Sequence, residues 1–149
     1  MELWPWAVHA YGRPDVAAAA LALQDDHGQC VPLLLWAGWA RPDDPDLIGH
    51  AVSLARTWEA AAILPLRTAR RGLKAGLPGA DAASQQALRA QVKASELEAE
   101  RLLLGALASL GGSGGAALEV ALAATATAWG GQVEPAALER LSRTLRGVQ

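Results

Sequence analysis

An all-α fold, a single-domain irregular bundle of six or seven helices, follows from three features of the 149-residue sequence. Alanine and leucine supply 34 and 24 residues, whereas the β-branched residues that favour strands number only fifteen. Apolar residues make up 52% of the chain and charged ones 19%, too apolar a balance for disorder. Apolar positions recur at helical spacing between Pro and Gly punctuation. A chain of this length can bury roughly two-thirds of its unfolded surface in one core.

The elements follow in order. Pro5 suits a first turn, where its missing N–H costs no bond, so a short helix spans roughly Pro5 to Tyr11 and Gly12 closes it. Pro14 and Asp15 open the second helix, which runs through the Ala-rich stretch to Gln24 and stops at Gly28; Val16, Ala20, Leu23 and His27 share its inward face. The third helix, Leu33 to Trp39, is apolar nearly all round and belongs at the centre. A turn of alternating Pro and Asp leads into a fourth, with Ile48, Val52, Ala55, Trp58/Glu59, Ala62 and Leu66 in periodic register. Pro65 interrupts its hydrogen-bond ladder, which predicts a kink or break near Ala61 to Leu64 before the helix resumes to Lys74. From Asp81 a long amphipathic helix carries Leu88, Val92, Ala99, Leu103, Ala106 and Leu110 on one side. The glycine run at 111–115 reads as a flexible linker, because no strand precedes it and no Lys-Ser/Thr follows as in a phosphate loop. Two C-terminal helices, split by Gly130-Gly131 and loosely docked, complete the chain.

Charge excludes several classes. A net charge of −2 and a pI near 5.9 argue against a dedicated nucleic-acid binder. The longest apolar stretches fall short of the ~18–20 residues that span a bilayer, and Met1 to Trp6 has no signal-peptide pattern, which points to the cytoplasm. The single Cys30 forms no intramolecular disulfide. No Ser-His-Asp spacing, Rossmann or P-loop glycine pattern, His-Glu-x-x-His or Cys pair is present. The sequence therefore names no activity, catalytic residue, cofactor or metal.

Three constellations stand out. Asp25, Asp26, His27 and Cys30 crowd the end of the second helix; the bland account makes His27 a dipole partner and Cys30 a small buried hydrophobe. Arg67, Arg70, Arg71 and Lys74 follow the i, i+3, i+4, i+7 spacing of one helix face, where like charges repel unless something anionic meets them. That counterpart is an acidic protein, an anionic ligand, or this chain's own acids at 25–26, 43–46 and 96–100. The six tryptophans hold nearly all the aromatic area, and packing accounts for most of them; Trp4 and Trp6 could also anchor a partner or a membrane interface.

Leu3-Trp4, Tyr11-Gly12-Arg13-Pro14-Asp15-Val16, Leu21 to Gly28, Val31, Leu33-Leu34-Leu35, Trp58, Pro65-Leu66-Arg67 and Leu73-Lys74 together resemble a family of short proteobacterial helical proteins carried as a domain of unknown function. The resemblance spans residues 3 to 75 and leaves 81 to 149 as a long helix plus two more within the same domain. It implies a small cytosolic helical protein with no established activity. In the family pattern an Asp and an Asn commonly stand where this chain has Cys30 and Pro32, which implies that a thiol role for Cys30 is not a family function.

Two functional readings follow. The first is a non-enzymatic interaction or regulatory protein that uses the Arg67/Arg70/Arg71/Lys74 face, with Asp25 or Asp26 pairing to Arg67 or Arg70 and the remaining cations free. The second is a small-ligand binder or enzyme whose inter-helix pocket is lined by Trp, with Asp25, Asp26 and His27 as its polar groups. A solid core with an exposed basic stripe favours the first; a cavity of several hundred Å³ favours the second.

Overall fold

Proline and aspartate set where most of the helices begin. Pro14, Pro32, Pro45 and Pro135 each stand in the first turn of a helix, and Asp44, Asp81 and Glu134 turn a side-chain oxygen onto an otherwise unpaired N–H at positions 46, 84 and 137. The computed structural model describes residues 1–111 and 114–148. Its helices are α1 (Leu3–Tyr11), α2 (Pro14–His27), α3 (Val31–Ala40), α4 (Pro45–Trp58), α5 (Leu64–Lys74), α6 (Ala82–Ala108), α7 (Leu118–Trp129) and α8 (Pro135–Leu145). A π-helical segment, Glu59–Ile63, joins α4 to α5 without a break, so the chain forms seven helical rods and no strand among the described residues. The first helix starts at Leu3, earlier than Pro5 suggests, because Pro at the third helical position still loses no intrahelical bond.

The central element is α3, where every residue except Trp39 is buried and Trp36 is fully enclosed. Gly38 lets neighbours approach closely: a Cβ there would stand 3.1 Å from Leu145 of α8 and 3.5 Å from the Trp6 ring. Around α3 stand α1, α2, α4, α6 and α7, while α5 packs chiefly on α6. The last two helices are not loosely docked. Leu118, Leu122 and Ala126 of α7 and Leu138, Leu141 and Leu145 of α8 are all buried in the common core.

The α6–α7 connection is held at Gly114. Positions 112 and 113 of the glycine run lie outside the described residues, but Gly114 donates its N–H to the Ala40 carbonyl at 2.8 Å. A Cβ at Gly114 would collide with the Arg41 carbonyl oxygen and come within 2.8 Å of the Asp43 nitrogen. Glycine is there because two stretches of backbone touch.

The interruption predicted at Pro65 takes the form of the π segment. Pro65 has no N–H to offer the carbonyl four residues back, and widening the turn spreads the cost over several residues without ending the helix. This changes which residues share a face. Glu59 and Arg67, eight positions apart, would diverge by about 80° on an uninterrupted α-helix. One extra residue in the wide turn takes about 100° off the rotation and leaves the two within about 20°, so Glu59, Ile63 and Arg67 share a face and all three are buried.

Candidate functional site

On α6 the inward stripe differs from the one its leucines suggest. Leu88 is half exposed, while Glu96, Ala99, Leu103, Leu104 and Leu107 are buried. Glu96 holds an inward position because partners wait for it across the α5–α6 contact. Arg67 Nε donates to Glu96 Oε1 at 3.2 Å, and Arg70 Nε donates to Oε2 at 2.5 Å. Arg67 and Glu96 are each only 6% exposed. Burial pushes the Glu96 carboxyl up, but the hydrogen bonds and charges of Arg70 and Arg67 outweigh it and hold the group below its ordinary value.

A second layer surrounds this pair. Arg67 also faces Glu100 Oε1 at 3.5 Å, one turn further along α6. Burial, and then repulsion from Glu96, raise the Glu100 carboxyl to about 7. Behind them the buried Cys30 thiol donates to Glu59 Oε1 at 3.4 Å. Burial raises the Glu59 carboxyl, despite the opposing pull of Arg67, and burial followed by the Glu59 charge pushes the Cys30 thiol well above its usual range. Cys30 is thus a buried, protonated donor and a poor nucleophile. The group comprises three carboxylates, Glu59, Glu96 and Glu100, and two guanidiniums, Arg67 and Arg70.

The cluster borders open space. A cavity of about 400 Å³ lies between α1, α3 and α6, with Ala7, Val31, Pro32, Leu35 and Leu104 in its largely apolar wall and Trp4, Tyr11, Gln24, Leu97 and Glu100 around its mouth. A shallower cavity of about 580 Å³ adjoins it, sharing Tyr11, Gln24, Leu97 and Glu100 and adding Arg67, Arg70, Lys93 and Glu96. Glu100 stands where the two meet.

The basic stripe divides accordingly. Arg67 is buried, Arg70 is mostly committed to Glu96, and Arg71 and Lys74 face solvent. The expected pairing of Asp25 or Asp26 with Arg67 or Arg70 is not what forms: Asp25 meets Arg71 at 3.1 Å, an exposed pair, and Asp26 is solvated. The reason is register, since α6 offers Glu96 directly over Arg67 and Arg70 and leaves only the outer Arg71 for α2. Asp25, Asp26 and His27 do not line either cavity, whereas their neighbour Gln24 lines both. The end of α2 instead receives the α7–α8 turn: Trp129 Nε1 donates to the Gly28 carbonyl at 2.9 Å, and Arg56 lies 4.7 Å from the Trp129 ring centroid. Among the described residues no group of three or more His, Cys, Asp or Glu side chains could hold a metal, and no helix is long and apolar enough to cross a membrane.

Residues 2–107 match the family model described as Protein of unknown function (DUF2390). The chain belongs to that family. The matched span runs from α1 almost to the end of α6, so every residue of the Glu59/Arg67/Arg70/Glu96/Glu100 cluster lies inside the DUF2390 portion, and α7 and α8 lie beyond it. No curated protein and no solved structure matches this DUF2390 chain.

Arg67 and Arg70 stand out in the sequence as part of a charge run, and two of the carboxylates carry a signal of their own. Glu96 follows Val92 by four positions and precedes Ala99 and Leu103 by three and seven, which places a carboxylate on an apolar stripe, and Glu59 interrupts the stripe of α4 in the same way. A charge on the buried face of a helix demands a partner. Nothing in the sequence shows that Arg67 is that partner for Glu96, because their helices meet only in the folded chain.

Proposed function

We propose that this chain is a binding module for a small molecule with an apolar body, held in the cavity between α1, α3 and α6. The observation that carries this reading is the cavity itself: about 400 Å³ of apolar-walled space reaching down to buried α3 residues, with Tyr11, Gln24 and Glu100 as the few polar groups in its lining. This is the pattern of small-ligand sites, in which apolar walls supply affinity and a few fixed polar groups set orientation. The ion pairs of Glu96 with the buried Arg67 and the half-buried Arg70 join α5 to α6 one turn from Glu100. In this reading Tyr11, Gln24 and Glu100 take the place of Asp25, Asp26 and His27 as polar contacts. The basic face is a weaker basis for function, since the charges of Arg67 and Arg70 are answered within the chain.

The test is titration with N-phenyl-1-naphthylamine, a neutral probe that fluoresces in apolar surroundings. Saturable binding of one probe per chain is expected, together with its loss in Leu97→Trp, which fills the cavity mouth from an exposed position. The absence of saturable binding, or equal binding by the variant, would overturn the reading.

A further inference from the structure

Resting on that cavity as a ligand site, we propose that the ligand it takes is an organic amine, whose ammonium group is received by Glu100 while its apolar body occupies the space between α1, α3 and α6.

Several observations carry this. Glu100 is the single charged residue among those lining the inner cavity. Its one charged contact, Arg67 Nη2 at 3.5 Å, is longer than a good charge-assisted hydrogen bond, because Arg67 is committed to Glu96 at 3.2 Å. With Glu100 ionised, the surrounding group sets three carboxyl groups, Glu59, Glu96 and Glu100, against two guanidiniums, so a bound cation offsets the charge that Glu100 acquires. Trp4 and Tyr11 supply aromatic rings at the same mouth, and aromatic rings favour cations. Gln24, which also lines the cavity, donates one amide N–H to Asp25 and keeps a carbonyl oxygen that can accept from an ammonium group.

The groups facing Glu100 set the direction of its pH response. They are Tyr11 of α1, Glu59 of the π segment, Arg67 and Arg70 of α5, and Glu96 on α6, with Lys93 at the rim of the outer cavity and Asp25 of α2 acting on Tyr11. Burial and Glu96 favour a proton on Glu100, and an ammonium ion beside it favours its loss. Amine binding therefore strengthens from acid to mildly alkaline solution and releases a proton.

The experiment displaces N-phenyl-1-naphthylamine with three compounds of one apolar body, 4-phenylbutylamine, 4-phenylbutanol and 4-phenylbutyrate, at pH 8 and pH 5.5. The amine is expected to bind about tenfold or more tightly than the alcohol at pH 8, the gain of a charge-assisted over a neutral hydrogen bond. That preference is expected to shrink at pH 5.5 and to collapse in Glu100→Gln. Equal or tighter binding of the alcohol overturns the amine assignment. So does tightest binding of the acid, which would place the head group at Arg70 and Lys93. So does an unchanged amine preference in Glu100→Gln, or displacement by none of the three where the probe itself binds. If the variant fails to fold, the pH response of the unaltered chain decides alone. Failure of the probe to bind at all counts against the ligand site itself.

Discussion

Replacing Glu100 by Gln tests the electrostatics of the cluster through stability alone. Glu100 ionises near 4.5 in the unfolded chain and near 7 in the folded one. The folded state thus keeps its proton through a window in which the unfolded chain has lost it. Stability from this group is intact below about pH 4.5 and falls as the pH rises to about 7. The gap, at about 1.4 kcal/mol per tenfold change in proton affinity, amounts to about 3.5 kcal/mol above pH 7. Solvent at the carboxylate, whose side chain is 29% exposed, trims that to about 2–3 kcal/mol. A glutamine side chain keeps the shape of the protonated acid and carries no charge. The variant should stay within about 1 kcal/mol of the parent near pH 5 and exceed it by about 2–3 kcal/mol at pH 8, or about 5–10 °C in Tm for a chain of this size. Urea denaturation at both pH values is the assay, and pH 5 stays above the range in which the lowered Glu96 carboxyl acts with the opposite sign. A variant-to-parent difference that does not change between pH 5 and 8 would refute the placement of Glu100 beside Glu96 in a desolvated site.

Other substitutions separate buried from exposed charge. Glu96→Gln leaves Arg67 buried with its main partner neutralised and should cost about 3–5 kcal/mol by urea denaturation; a loss under about 1 kcal/mol would mean that water reaches Arg67. Arg71→Ala removes only a solvent-facing pair with Asp25 and should change stability by less than about 1 kcal/mol in the same assay. Gly114→Ala forces the α6–α7 connection off the α3–α4 turn and should destabilise by at least about 1 kcal/mol, and an unchanged Tm would show that the two backbones are not in contact.

Much of the fold was legible because it rests on local rules. Pro14, Asp44 and Gly28 mark helix ends by what their own backbones and side chains can or cannot do, and Gly28 takes the left-handed turn that ends α2. The apolar run of α3 identified the core, since a helix without a polar face has nowhere else to go. Pro65 located the disturbance in the long fourth rod correctly, but a missing N–H says only that a bond is lost; the choice of a wide turn over a break came from the packing of Ile63 and Arg67.

The candidate site was legible only in part. Arg67 and Arg70 stood out as a charge run, and their spacing left open whether an outside anion or the chain's own acids at 25–26, 43–46 or 96–100 answer them. Which carboxylate answers them depends on the register of α5 against α6, and that is set by leucines and alanines spread along both helices. Sequence by itself determined the helices, their ends, the central place of α3 and the concentration of charge at 67–74, because each depends on residues within a few turns. Only the tertiary structure decided that Arg67 lies inside with Glu96, that Glu100 borders a cavity and that Asp25 is left to Arg71, because ionic partners and empty space arise between elements distant in the chain.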